Sequence, residues 1–298
     1  MKILITGANG LLGQYLVKGL VEEGGHQLLA VGRGPSRLPA ELAEGFKYYN
    51  TDITDGYAVE ALVDAQGPDW VVHAAAMTQV DFCEQNRDLC FEVNVGGTEN
   101  MLKAAEKSQS RFIYVSTDFI FDGVDGLYEE GHPPGPVNWY GSTKAQAEKL
   151  MADSSVAWAI ARTCLVYGHG LGETRNNIVS WVKEKLEKGE PIKVVDDQVR
   201  TPTHVEDLAK GIIRMIQKSA TGIYHLSGED VLTPYQMALR TAAVFGLDSS
   251  LIEQVDASSF SQPARRPSRT GLRITKAKNE LGFAPMGFEA ALLKMYQK

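Results

Sequence analysis

Cysteine is scarce in this chain of 298 residues: Cys83, Cys90 and Cys164 are the full set, with no Cys-x-x-Cys pair among them. That excludes the disulfide framework of small secreted domains and fits a reducing compartment. Long apolar runs are missing too, so no segment reaches the ~20 residues that a membrane-spanning helix needs. The chain starts on an apolar strand with no secretory leader, and the expectation is a cytoplasmic protein without a membrane partner. Positive charge is in deficit, with a net charge of −7, which argues against a nucleic-acid partner. An anionic substrate must then meet a local basic cluster. Histidines such as His26, His132, His169, His204 and His225 show no metal-ligand spacing, so no metal is expected. Neither a Gly-x-x-x-x-Gly-Lys phosphate loop nor a Gly-x-Ser-x-Gly elbow occurs, which removes kinase-like and serine-hydrolase readings.

What remains is an ordinary globular composition, with 44% hydrophobic and 22% charged residues. Apolar runs at 2–7, 27–31, 46–49, 70–74, 111–117 and 157–166 read as strands. Helical spacing at 11–21, 57–65, 89–107 and around Tyr140 alternates with them. The runs are too continuous for sheets with one wet face. The pattern predicts an α/β fold, a doubly wound parallel sheet of Rossmann type. A Gly- and Pro-rich loop at 121–138 precedes the Tyr140 helix, and loops of that length are functional or disordered. Later helices at 176–188, 205–218, 234–245 and 288–296, with short strands at 192–195 and 223–226, predict a smaller, mostly helical substrate domain. The expected division is 1–165 for the dinucleotide-binding domain and 166–298 for the second, with about 191–227 returning to the first.

Between the first strand and first helix stands Thr6-Gly7-Ala-Asn9-Gly10-Leu11-Leu12-Gly13. Glycines there allow a tight turn, let backbone approach a pyrophosphate, and let helix and strand pack closely. The helix N-terminus offers free amides to phosphate oxygens. The spacing Gly-x-x-Gly-x-x-Gly is one residue longer at its start than the common dinucleotide fingerprint. At the end of the second strand Arg33 stands where an acid would hold the ribose hydroxyls of NAD. No acid is present, which favours NADPH and leaves NADH open. Asp52 and Ile53 have two readings: contacts to an adenine, or a turn aspartate with its neighbour. Ala74, Ala75 and Ala76 close the fourth strand with the small residues that a dinucleotide across the sheet edge needs; small residues also serve close helix packing.

Ser116, Thr117 and Asp118 end the fifth strand, at the sheet edge where ligands bind in such folds. A hydroxyl there polarises a carbonyl, or merely starts a turn. Tyr140 and Lys144 lie four apart, so both side chains leave one helix face. A phenol titrates near pH ~10, and a neighbouring ammonium pulls that value toward neutrality, where acid-base work is efficient. Arg200, Arg265 and Arg266 are candidates for a substrate pyrophosphate, since the guanidinium fork suits phosphate oxygens.

Together, Thr6–Gly13, Ala74–Ala76, Ser116–Asp118 and Tyr140-x-x-x-Lys144 resemble the motif set of the extended short-chain dehydrogenase/reductases. Ser116–Gly123, Arg162-Thr163, Asp197-Gln198, Thr201–Thr203 and Arg265-Arg-Pro267 further resemble the dTDP-4-dehydrorhamnose reductase family, almost end to end. The resemblance implies Thr117, with Ser116, on the substrate carbonyl, Tyr140 as proton donor, and Lys144 on the nicotinamide ribose. It implies a nucleotide-sugar substrate bound by Thr78, Asp118, Arg200 and Arg266, and is compatible with a homodimer. The implied reaction is reduction of dTDP-4-dehydrorhamnose to dTDP-rhamnose. Two other readings stand beside it: a reductase or epimerase of another nucleotide sugar, and a dinucleotide-binding regulatory subunit without turnover. Phe119 departs from the family, which usually carries tyrosine after Ser-Thr-Asp.

Overall fold

The computed structural model describes residues 1–174 and 176–296. Seven strands form one parallel sheet: β1 (Lys2–Thr6), β2 (Gln27–Gly32), β3 (Phe46–Asn50), β4 (Trp70–His73), β5 (Arg111–Thr117), β6 (Trp158–Thr163), and a last strand at Gly222–His225. In space the order is β3, β2, β1, β4, β5, β6 and then that last strand. The chain leaves β1 toward β2 and later returns to its other side through β4, so the sheet edge opens between β1 and β4. Ligands of such sheets bind at that switch point.

Alternation along each strand explains the two covered faces. Ile3, Ile5, Leu28, Ala30, Val72 and Ile113 point to one side, where they pack with Leu16, Val17 and Leu20 of α1 (Leu11–Glu23). Leu4, Leu29, Val31, Val71, Phe112 and Tyr114 point to the other. There they meet α2 (Gly56–Gln66), α5 (Gly97–Lys107) and α6 (Trp139–Asp153). Two short helices, α3 (Val80–Gln85) and α4 (Arg87–Phe91), precede α5. The helix expected over 89–107 is therefore broken: Glu92–Gly96 forms a π-turn between α4 and α5. An inserted residue of this kind commonly marks a functional site, and here it turns Asn94 inward.

After β6 the chain builds β7 (Val166–Tyr167), α7 (Ile178–Glu187), β8 (Ile192–Val195), β9 (Thr203–His204), α8 (Val205–Gln217) and β10, the last sheet strand. Helix α8 lies beside α1 on the first face, through Leu208, Ile212 and Ile216. Within the stretch expected to return to the first domain, about 191–227, α8 packs on the first face of the sheet. β10 enters the sheet beside β6, whereas β8 pairs with β11 (Ile252–Val255) in a separate two-stranded sheet. The physical reason is burial on one side only: Ile192 and Val194 face apolar helices, while Lys193 between them is exposed. Helix α9 (Pro234–Phe245) starts at a Thr233–Gln236 capping box with Pro234 in its first turn, and stops at Gly246 in a left-handed conformation. Together with α7 and α11 (Phe288–Tyr296) it encloses two smaller cores around Val179, Met237, Phe288 and Val182, Leu186, Ala242. A last helix, α10 (Thr275–Leu281), packs back onto the first face of the sheet. No helix among the described residues is long and apolar enough to cross a membrane.

Candidate active site

Gly7 has φ of +71°, and a Cβ there would lie 2.8 Å from the Ala75 amide. A side chain is thus barred both by backbone conformation and by the alanine loop after β4. At Gly13 a Cβ would come within 2.2 Å of the Gly7 carbonyl, so α1 lies directly on the turn. Gly10 precedes α1 with no side chain capping it, which leaves the amides of Leu11, Leu12 and Gly13 for an anion. This cradle fits a pyrophosphate. Thr6, His73 and Thr98 hold it in place. The Thr98 hydroxyl donates to the Asn94 carbonyl at 2.7 Å and so accepts from His73 Nε2 at 3.2 Å. His73 Nδ1 then accepts from the Thr6 hydroxyl at 2.8 Å, whose oxygen accepts the Ala75 amide at 3.1 Å. Burial, with Lys144 nearby, lowers the His73 pKa to about 3, so the ring stays neutral in this chain of bonds.

The other nucleotide residues divide. Arg33 is 70% exposed and faces Asp52 at 3.5 Å, so both rim the pocket beside the ends of β2 and β3. Asp52 also accepts from the Thr54 amide and hydroxyl, each at 3.0 Å. Partial burial raises its pKa, but the Thr54 bonds and Arg33 outweigh that and hold it below the usual range. Asn9 does not face a ligand with its side chain. Its Oδ1 accepts from the Arg37 amide and its Nδ2 donates to the Arg33 and Pro35 carbonyls, folding the loop 33–37. That loop brings Arg37, overlooked in the sequence, to the same exposed rim. Ile53 is buried in the core, where its side chain fills the space against Gly97 of α5. Ala74, Ala75 and Ala76 are half-buried along the loop, and Thr78 is exposed beyond them.

Thr117, Tyr140 and Lys144 come together, all buried. Helix α6 is set by Asn138, whose Oδ1 accepts from the Gly141 amide at 2.8 Å. At Gly141 a Cβ would lie 2.1 Å from the Phe119 carbonyl, so only glycine lets α6 start this close to β5. Burial pushes the Tyr140 phenol above its ordinary pKa, and the Thr117 hydroxyl beside it opposes that rise only by turning its proton from Asp118 to the phenol oxygen. The expected depression by Lys144 is not found. Lys144 Nζ donates to the Val115 carbonyl at 2.7 Å and stands 4.0 Å above the Tyr114 ring. Its own pKa falls to about 7, through burial, against the upward pull of Glu148 and Cys90. Ser116 is buried, and its hydroxyl has no partner among the described residues. That orphaned oxygen is the free hydroxyl at the end of β5, because Thr117 donates to Asp118 at 3.1 Å.

Three substrate expectations are revised by the geometry. Asp118 is buried and accepts from Thr117, Cys164 and Thr270, so it ties β5 to the later chain. Arg200 is 3% exposed and spends its guanidinium on the carbonyls of Val199, Pro267 and Ser268, with Asp118 at 3.9 Å. Arg266 forms a two-pronged pair with Asp81 of α3, both bonds 2.6 Å. Each is an internal clamp between the two halves of the chain, and Arg265 is the exposed member of the set. Asn94 went unnoticed in the sequence. It accepts from the Met77 amide at 2.7 Å and donates to Thr143 at 3.1 Å, which in turn donates to the Tyr140 carbonyl at 2.8 Å. Its one signal was an amide within an apolar helical stretch just before Gly96-Gly97. Among the described residues no cluster of acids, cysteines and histidines could hold a metal ion.

The family model described as RmlD substrate binding domain matches residues 1–298. The chain belongs to that family. Members similar to it include a dTDP-4-dehydrorhamnose reductase of Aggregatibacter actinomycetemcomitans, 30% identical over 98% of this chain and 97% of that protein. A probable low-salt glycan biosynthesis reductase, Agl14, of Haloferax volcanii is 33% identical over 95% and 93%. The methionine adenosyltransferase 2 subunit beta of Rattus norvegicus is 32% identical over 92% and 81%. A solved dTDP-4-dehydrorhamnose reductase of Bacillus anthracis, in complex with NADP, superposes with a TM-score of 0.84 at 28% identity, covering 99% and 98%. The RmlD family is thus one of reductase-like extended short-chain dehydrogenases, with a transferase subunit among its relatives.

Proposed function

We propose that this protein reduces the 4-keto group of a nucleotide-linked deoxysugar with NADPH, and that dTDP-4-dehydrorhamnose, going to dTDP-rhamnose, is the substrate. The observation that carries the reading is the convergence of Thr117, Tyr140 and Lys144 with the unpartnered Ser116 hydroxyl, beside a glycine cradle built for pyrophosphate. Support for NADPH comes from Arg33 and Arg37 on the rim and from the NADP complex of the Bacillus anthracis relative.

NADPH, when bound, supplies the hydride that the keto carbon receives. The amides of Leu11, Leu12 and Gly13 would hold its pyrophosphate, and Arg33 would meet the ribose phosphate. Ser116 donates to the carbonyl oxygen. Tyr140, kept protonated by its raised pKa, gives its proton to that oxygen as negative charge develops there. Thr117 fixes the phenol, and the charged form of Lys144 stabilises the phenolate left behind and would bind the nicotinamide ribose. The lobe of α7, α9 and α11, within 166–298, would cover the sugar nucleotide, and the exposed Arg265 is the arginine left to meet its phosphates.

Two related readings share this site: another 4-keto nucleotide sugar as substrate, and a binding role without turnover, as the adenosyltransferase subunit relative allows. Incubation with NADPH and dTDP-4-dehydrorhamnose, with the sugar nucleotide identified by mass spectrometry, tests the proposal. A product heavier by two hydrogens supports it. Unchanged sugar with intact NADPH contradicts it.

A further inference from the structure

Tyr140, Lys144 and Glu148 follow one another at four-residue steps on the inner face of α6, and all three are buried. Both oxygens of Glu148 are held by Arg162 of β6. Its Nε donates at 3.0 Å to Oε1, and its terminal nitrogen donates at 2.7 Å to Oε2. Arg162 is itself fixed, donating to the Glu130 carbonyl at 3.1 Å and packing over the Phe121 ring at 5.3 Å. The carboxylate therefore cannot swing toward solvent or follow a moving lysine.

Buried ion pairs are often no more stabilising than apolar pairs of the same size, because desolvation offsets their attraction. Shape alone gives no reason to place two charges here. We propose that Glu148, clamped by Arg162 one helical turn from Lys144, is a positioning residue that keeps Lys144 charged in the active site. The proposal rests on the reading of Lys144 as a working cation of that site.

Among the described residues, Glu148 is the carboxylate acting on Lys144, from one helical turn away, and the Arg162 cation bound to it offsets part of its field. From β5 Lys144 meets the Tyr114 phenol, which burial and Glu148 keep protonated. From β4 it meets His73, held neutral, and from α4 the Cys90 thiol, whose pKa is lowered to about 7. On its own helix the Tyr140 phenol is neutral. On the far side of Arg162, His225 of β10 is also neutral, its pKa lowered to about 3 by burial and by Arg162, and Glu130 accepts the His225 amide. Burial drives Lys144 toward its neutral form, and Glu148 is the largest force against it.

The test is the titration of the Lys144 side chain by NMR in protein carrying isotope-labelled lysine, assigned by its loss in Lys144→Met. The parent should show a midpoint at about 7. In Glu148→Gln the midpoint falls, and the charged fraction at neutral pH drops about tenfold or more, as loss of a near opposite charge requires. Glu148→Gln strands Arg162 in the core, and if that variant does not fold, Arg162→Met gives the opposite test: removing the cation that offsets Glu148 should raise the Lys144 midpoint. Glu148→Asp, which keeps a carboxylate, should recover most of the parent midpoint. An unchanged midpoint in Glu148→Gln, or in Arg162→Met where Glu148→Gln does not fold, overturns the proposal. A midpoint that falls in a protein reducing no keto sugar leaves the proposal standing and rejects the reaction instead.

Discussion

The guanidinium of Arg33 stands 3.5 Å from the carboxylate of Asp52, joining the end of β2 to the end of β3 at the rim of the nucleotide pocket. Both groups are well exposed, so the pair itself contributes little to stability. Its use is at the rim, where the arginine is free to turn to a phosphate. Arg33→Ala should weaken NADPH binding by roughly tenfold and leave NADH almost unchanged, the value of one charge-assisted contact in a wet site. Nicotinamide fluorescence titrations with the two nucleotides measure this. Equal losses for both would move the selectivity elsewhere, with Arg37 the next residue to replace.

Proton donation is assigned to Tyr140. Tyr140→Phe keeps the ring packed against Phe119, with centroids 6.1 Å apart in the parent, and removes only the hydroxyl. Turnover should fall on the order of a hundredfold or more, with NADPH binding retained. Near-normal turnover would show that another group gives the proton.

Lys144 predicts how stability changes with pH. Its folded pKa, about 7, lies below the ordinary lysine value, so between the two the unfolded chain binds the extra proton. Stability then rises with pH across that window, by up to about 1.4 kcal/mol per pH unit from this group. Lys144→Met lacks the effect. Its stability advantage over the parent should be largest below neutrality and shrink toward alkaline pH, in urea unfolding at a series of pH values. A difference independent of pH would mean that the lysine is not buried as a reluctant cation.

Close packing at the start of α6 makes a prediction for Gly141→Ala. Its methyl group would press on the Phe119 carbonyl, 2.1 Å away in the parent geometry. Relief requires α6 to move, at a cost of about 1–3 kcal/mol in stability. Such a shift carries Tyr140 with it, and a misplacement of about 1 Å costs on the order of a hundredfold in rate. Thermal unfolding and turnover should fall together. A fully active, equally stable variant would contradict the tight seat given to this helix.

The sheet was legible because its period is local: Ile3, Leu4 and Ile5 announce a strand buried on both faces without help from the rest of the chain. Gly7, Tyr140 and Lys144 were legible because their spacing carries their geometry. The arginines were not. Arg200 and Arg266 look like phosphate ligands in a sequence, and only the fold shows Pro267, Ser268 and Asp81 already meeting them. The packing of Ile53 was hidden for the same reason, since its partner Gly97 lies far along the chain. Asn94 and Glu148 were unseen because their roles depend on a π-turn and on a partner strand that local patterns do not reveal.

The most direct test of the account is to supply the purified protein with NADPH and a panel of 4-keto nucleotide sugars, and to follow cofactor oxidation alongside cofactor binding. NADPH oxidation should be matched one for one by reduced sugar, run fastest with dTDP-4-dehydrorhamnose, and fall on the order of a hundredfold or more in Tyr140→Phe. Tight NADPH binding with no oxidation on any sugar, in a protein that co-purifies with a partner enzyme, would contradict it and assign the chain a regulatory role.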